Sequence, residues 1–413
     1  MKKDEEQFEE ALRQMDFSRP SLIMRSIPEV SKEKWTKRIA EFENSIDNRI
    51  EELRQLAEDR EDIQLAADYF NSRAEKYDVL GRILQTKHVF IITGYIPKKE
   101  FEKLGYEPQI TQKGAVLVKL GGKDDKNAVV LAAHMDTLGG MVCQIMDNGH
   151  LKLTNIGGMN PNNAEAENCR VYTRSGKVYS GTFQLKNASI HVNGSYNDTA
   201  RSYDAMEVVL DEPVESKADT EALGIMTGDI VCFDPRTTVT ESGYIKSRFL
   251  DDKLSVGILL GFAKYLKETG KKPARKIYQH ITVFEEVGHG GSASIPADVA
   301  EILAVDMGCV GDGLSCKETQ VSICAKDSGG PYHYDVVSAL IEAARTAKVD
   351  FAVDVYPHYG SDAEAGLRSG IDCRHGLIGS GVYASHGYER SHVKGMENTF
   401  RLLKAYLNQD YHA

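Results

Sequence analysis

The sequence lacks any run of about eighteen consecutive apolar residues, the length needed to cross a bilayer. Its first residues, MKKDEEQFEE, place no apolar stretch behind their charges, as a secretion signal would. A membrane association is therefore not expected, and the reading is a cytoplasmic protein. No C-x-x-C pair occurs. The seven cysteines, Cys143, Cys169, Cys232, Cys309, Cys316, Cys324 and Cys373, are odd in number and widely spaced. They read as reduced packing thiols rather than a disulfide frame or a structural zinc knot. Positive charge is also in short supply: 50 Lys and Arg against 61 Asp and Glu leave a formal charge of -11. A nucleic-acid partner would need a basic surface, so none is expected. Fixed-period repeats and low-complexity segments are absent too.

What is present is the balance of a globular protein, 41% hydrophobic and 27% charged over 413 residues, which is too long for one ordinary core. Residues 30–86 are charge-rich, and Ile39, Phe42, Ile46, Ile50 and Leu53 fall at helical steps, predicting a helical pair. HVFIITGYIPKKEFEKLG follows as strand, turn and helix, ending at Gly105. From there the texture changes. AVLVKL, AVVLAAHMD, IYQHITVFEE and EILAVDMG are near-continuous apolar strands, and DDKLSVGILLGFAKYLKETG repeats Leu254, Ile258, Phe262 and Leu266 at i+4 before Gly270. Doubly buried strands mixed with amphipathic helices imply an α/β fold, a mixed sheet flanked by helices. Between about Val142 and Gly243 helical periodicity vanishes, and short alternating stretches such as KVYSGTFQL, ASIHVNG and DIVCFDP predict an inserted small β-barrel. The expected division is an N-terminal helical extension over 1–103, a main domain over 104–141 and 244–413, and the insert over 142–243.

Polar residues that can hold a metal recur just after the carboxyl end of sheet strands, where α/β folds bind ligands. VVLAAHMD ends in His134 and Asp136, ITVFEE in Glu285 and Glu286, ILAVDMG in Asp306, and an apolar stretch runs into His386 and His392. Asp251 and Asp252 open the amphipathic helix. One acid there is an ordinary cap, but a second is more than a cap requires. Two histidines with three or four carboxylates suit divalent zinc or cobalt and are too nitrogen-rich for calcium or magnesium. If Asp251, Glu286 and Asp306 ligate, their three negative charges and a bridging hydroxide balance two divalent cations. A single cation would leave the acids repelling one another. Adjacent residues at a strand end point to different sides, so Glu286 is read as a ligand and Glu285 as the general base. Asp136 fits the partner that fixes the imidazole tautomer of His134. His289 reads as a surface residue, and SGGPYHY and YGSDA as candidate pocket loops.

As a set, AAHMDTLGGMV, SRFLDDK, FEEVGHGG, AVDMG and ASHGYERSH, in this order and with a β-rich insert after the first, resemble the co-catalytic metallo-aminopeptidases of metallopeptidase family forty-two. That family includes glutamyl aminopeptidase and the tetrahedral (TET) aminopeptidases. The resemblance covers roughly Leu104 to the C-terminus. It implies a peptidase fold, peptide substrates trimmed from the free N-terminus through a two-metal-bridged hydroxide, and dimer-based homo-oligomers up to dodecameric shells. It also implies that His134 and Asp306 complete one metal, Glu286 and His386 the other, and that Asp251 bridges them, with His392 in reserve for His386. The family's opening helix and PSG-like turn have no counterpart here. Instead, residues 30–103 resemble part of the cytosolic N-terminal region of the V-type ATPase stator subunit I, without its membrane half. KKEFEKL must then cover the first strand if that apolar surface is not to lie open. Against the leading expectation of a metallo-aminopeptidase stands a non-catalytic binding or assembly protein with a blocked or metal-poor site.

Overall fold

The computed structural model describes residues 97–408. The helical pair expected over 30–86, and the strand preceding Pro97, lie outside the described residues. The chain forms β1 (Gln109–Ile110), β2 (Val116–Gly121) and β3 (Asp124–His134), then a closed six-stranded barrel. The barrel strands are β4 (Gly139–Ile145), β5 (Leu151–Ile156), β6 (Glu167–Tyr172), β7 (Val178–Leu185), β8 (Met206–Leu210) and β9 (Ile230–Phe233), with a short helix α1 (Lys217–Ala222) before the last. The chain returns through β10 (Thr238–Val239) and β11 (Tyr244–Ser247) to α2 (Leu250–Thr269) and β12 (Arg275–Thr282). It ends with β13 (Val299–Val310), β14 (Val321–Lys326), α3 (Tyr334–Thr346), β15 (Phe351–Val355), α4 (Asp362–Arg368), β16 (Arg374–Tyr383), β17 (Glu389–His392) and α5 (Val393–Leu407).

The main sheet has eleven strands, and at its centre β12, β3, β13 and β16 run parallel in that spatial order. Parallel strands are covered on both faces, which is why Ala128 to Ala133 of β3 are all buried without alternation. Leu254, Ile258, Phe262 and Leu266 of α2 are buried as their spacing predicts, and Gly270 ends the helix at φ 63°. The helical segment 97–103 puts Phe101, fully buried, into the main core, with Leu104 and Tyr106 packed against that core. KKEFEKL thus covers apolar surface.

The barrel has its own core, in which Phe183 and Phe233 lie 5.6 Å apart. Its strands begin at Gly139 and end at Phe233, while β11 pairs with β17 of the main sheet. One sequence expectation fails inside it. ASIHVNG forms turns, not a strand, leaving Ile190 and Val192 58% and 74% exposed. Its alternation finds no ladder partner, and Asn193 instead closes local turns onto Asn187 and Ser195.

The two edges of the parallel core differ in charge. At the amino edge Arg275 grips Glu301 through two hydrogen bonds of 2.8 and 3.1 Å, and Tyr406 donates to the same carboxylate at 2.6 Å. At the carboxyl edge acids accumulate instead. Among the described residues, no helix is long and apolar enough to cross a membrane.

Between the edges, β12 buries His280 with neither ring nitrogen hydrogen-bonded. Burial, aided by Lys113, pushes its pKa down from 6.5 to about 4. Between those values the unfolded chain binds the proton and the folded one does not, so stability is full above pH 6.5 and lost as pH falls towards 4. The loss amounts to about 3 kcal/mol. Urea unfolding across this window should show His280→Leu losing less stability on acidification than the native chain; equal slopes would contradict the assignment.

Candidate active site

The candidate side chains gather at the carboxyl edge: His134 ends β3, Asp251 lies in the first turn of α2, Glu285 and Glu286 follow β12, His386 follows β16, and Asp306 lies within β13, which runs on to Val310 rather than ending at the acid. His134 closes β3 and is 1% exposed. Its Nδ1 donates to the Asp136 carbonyl oxygen at 3.1 Å, which leaves Nε2 as the free acceptor, facing Asp251 Oδ1 at 3.0 Å. Two acceptors at that separation repel unless a positive charge lies between them. Asp251 is the hub. Its Oδ2 is 3.6 Å from His386 Nε2, which is also 3.6 Å from Glu286 Oε2. Two groups of metal-competent atoms, each within 4.8 Å of one another, result: His134, Asp251 and Asp306, and Asp251, Glu286 and His386.

Electrostatics match this crowding. Burial, then the charge of Asp251, push Glu286 up to about 8 and Asp306 up to about 7. Burial also raises Glu285 well above the usual carboxylate range, with Asp306, Asp362 and Asp251 adding to it. Asp251 moves the other way. Burial opposes its ionisation, yet the imidazoles of His134 and His386 beside it hold it below the ordinary range. The neighbouring Asp251 carboxylate lifts His386 to about 9 against burial, helped by Glu286. Glu286 Oε1 is buried with no hydrogen-bond partner. Carboxylates that prefer protons, an orphaned oxygen and two imidazoles form a donor set that fits divalent cations.

Asp136 has a larger role than fixing a tautomer. Its carboxylate is 3.5 Å from His134 Nδ1, but it also accepts the backbone N–H groups of Glu285 and Glu286 at 3.2 and 3.1 Å. Asp252, the apparently surplus acid, accepts the N–H of His134 at 3.1 Å. Glu389 went unread in the sequence. It is 2% exposed and accepts the N–H groups of Asp251 and His386, each at 3.0 Å. The available signal was an acid three residues beyond His386 in ASHGYE. Tyr359, the first residue of the YGSDA loop, donates to the Met307 carbonyl at 3.0 Å beside Asp306.

Glu285 belongs to neither metal-competent group and lies 3.7 Å from His134 Nε2. With Asp306, Tyr359, Ser361, Arg368 and His386 it lines a cleft of about 250 Å³. YGSDA contributes to this wall, whereas no residue of SGGPYHY does. His392 lies apart: Nε2 donates to the Ser242 carbonyl and Nδ1 accepts from Lys394 N–H, capping α5. His289 is exposed, stacked on Phe284. The glycines after Glu286 have a steric reason. A Cβ on Gly291 would fall 2.2 Å from the Asp362 carbonyl oxygen.

The sequence pattern of the M42 glutamyl aminopeptidase family matches residues 114–402. Putative aminopeptidase YhfE of Bacillus subtilis (strain 168) is 45% identical over 71% of this chain and 85% of its own length. Among solved structures, aminopeptidase APDkam598 from the archaeon Desulfurococcus kamchatkensis aligns with a TM-score of 0.70 at 23% identity, covering 81% of this chain and 95% of that one. The Pyrococcus horikoshii TET1 peptidase, described as assembling into a tetrahedron or a large octahedral shell, aligns with a TM-score of 0.67 at 19% identity, covering 79% and 98%.

Because Asp251 alone is shared by both groups, its loss and that of a terminal ligand should differ. After zinc loading and desalting, elemental analysis should find about two ions per native chain, about one in His386→Ala and almost none in Asp251→Asn. Equal loss in the two variants would contradict a shared bridge.

Proposed function

Since this chain belongs to the M42 glutamyl aminopeptidase family and is one of its aminopeptidases, we propose that the cluster is a dinuclear site that releases N-terminal residues from peptides, with two divalent cations, zinc or cobalt, as cofactors. The observation that carries this reading is the single Asp251 shared by two ligand groups, with Glu285 beside them and in neither. His134, Asp251 and Asp306 would hold one cation, and Asp251, Glu286 and His386 the other. When bound, the cations would polarise the scissile carbonyl and acidify the attacking water.

The protein's own groups do the rest. Glu285 takes a proton from that water on its carboxylate oxygen and delivers it to the leaving amine. Burial, which favours its protonated form, suits it to this shuttle. Asp136 holds Glu285 and Glu286 in register through their adjacent amides. The cleft beside Glu285 gives a peptide terminus room to enter, which disfavours a blocked site in a purely binding protein. We further place the chain in the cytoplasm as a homo-oligomer built from dimers and extending to a dodecamer. The TET1 peptidase's shell assembly supports that part of the reading.

Glu285→Gln should lower kcat on aminoacyl-p-nitroanilides by about 10²–10⁴-fold while metal content stays at the native level. Full activity in that variant would remove Glu285 from the chemistry.

A further inference from the structure

The loop bearing His386 is held from two directions. On the main-sheet side, Glu389 accepts the His386 N–H. On the other, the barrel reaches in between β5 and β6 with the segment 157–163, sequence GGMNPNN. A Cβ on Gly157 would stand 3.0 Å from the Glu286 carbonyl oxygen, and one on Gly158 would stand 2.6 Å from His386 Nδ1. The segment lies against both terminal ligands of one half-site. Asn163 Nδ2 then donates to the His386 carbonyl oxygen at 3.0 Å. Asn163 is itself anchored, since its own carbonyl accepts from Arg248 Nη1, and Arg248 pairs with Glu167 of β6 at 2.8 Å.

These contacts matter because His386 is not in a relaxed conformation. Its φ is 62°, and that of Ala384, two residues earlier, is 58°. A non-glycine residue in the left-handed region persists only when its surroundings hold it there. Of the second half-site, His134 and Asp306 sit within β3 and β13, while Asp251 is common to both half-sites.

Building on the two-cation reading above, we propose that the barrel segment Gly157–Asn163 is a positioning element for one half-site, setting Glu286 and His386 for their cation and leaving the other half-site independent of it. Gly158 supplies the flat wall against which the imidazole lies, and Asn163 is a positioning residue that fixes the backbone of the ligand loop. The insert therefore governs cation occupancy directly, in addition to whatever it does at the protein surface.

The experiment titrates the cation-free full chain with zinc by calorimetry, for the native protein, Gly158→Ala, Asn163→Asp, and Gly194→Ala as a control at an open position of the same insert. Asn163→Asp keeps the side-chain shape but removes the donor. Two binding events are expected for the native chain and the control. In Gly158→Ala and Asn163→Asp one event should weaken by about 10–100-fold, the range seen when a ligand's supporting partner is lost, while the other keeps its affinity. The melting temperature of the cation-free variants should match the native value. Two unchanged events in both variants, or equal weakening of both events with a lowered melting temperature, would overturn the inference. A native chain that takes up no zinc would instead overturn the two-cation reading beneath it.

Discussion

Everything at the carboxyl edge answers to the repulsion among buried carboxylates. Asp251, Glu286 and Asp306 are held within a few ångströms of two imidazoles, and the ionisation of Glu286 and Asp306 is opposed both by burial and by the charge of Asp251. A cluster of this kind relaxes apart unless its backbone is fixed. The structure fixes it with more acids, but acids used differently. Asp136, Asp252 and Glu389 spend their oxygens on the amides of Glu285, Glu286, His134, Asp251 and His386. A carboxylate that accepts backbone N–H groups has part of its demand met without a cation. The site thus sets acids that pin the backbone beside acids that are candidate ligands, and Asp252 keeps one buried oxygen, Oδ1, without a hydrogen-bond partner.

The amino edge of the same strands shows the contrasting solution. There Glu301 is held by Arg275 and Tyr406, with Arg374 Nε a further 3.5 Å neighbour, so the acid is balanced by the protein's own groups. Removing one member of such a pair leaves a bare buried charge at a cost of about 3–5 kcal/mol, so this edge is a brace. Both edges bury charge to a similar depth. What separates stability from chemistry is whether the charges are balanced within the protein.

The sequence made the sheet and its ligand positions legible for a shared reason. Continuous apolar runs such as VVLAA and ILAV mark parallel strands, and polar residues at their ends fall on one edge by construction. The five ligand candidates needed only local patterns to be noticed. Glu389 and Asn163 escaped because their work is contact across the fold. Asn163 meets a carbonyl more than two hundred residues away, and nothing in PNN announces it. ASIHVNG misled in the opposite sense: an alternating pattern means a strand only where a ladder partner exists. The doubled acid of SRFLDD was readable as unusual, yet its division into a candidate ligand and a clamp on His134 required coordinates.

The spatial order of the parallel core also bears on how the chain reaches this state. β3 lies between β12 and β13, yet both neighbours are encoded after the whole barrel. During synthesis the buried apolar half of β3 therefore emerges with neither neighbour to pair against, while the barrel that follows it has a core of its own. His134 gains its surroundings only after the ribosome has passed Val310, so the nascent chain carries a sticky, unshielded segment while the whole barrel, β12 and β13 are made, an interval in which chaperone protection counts most.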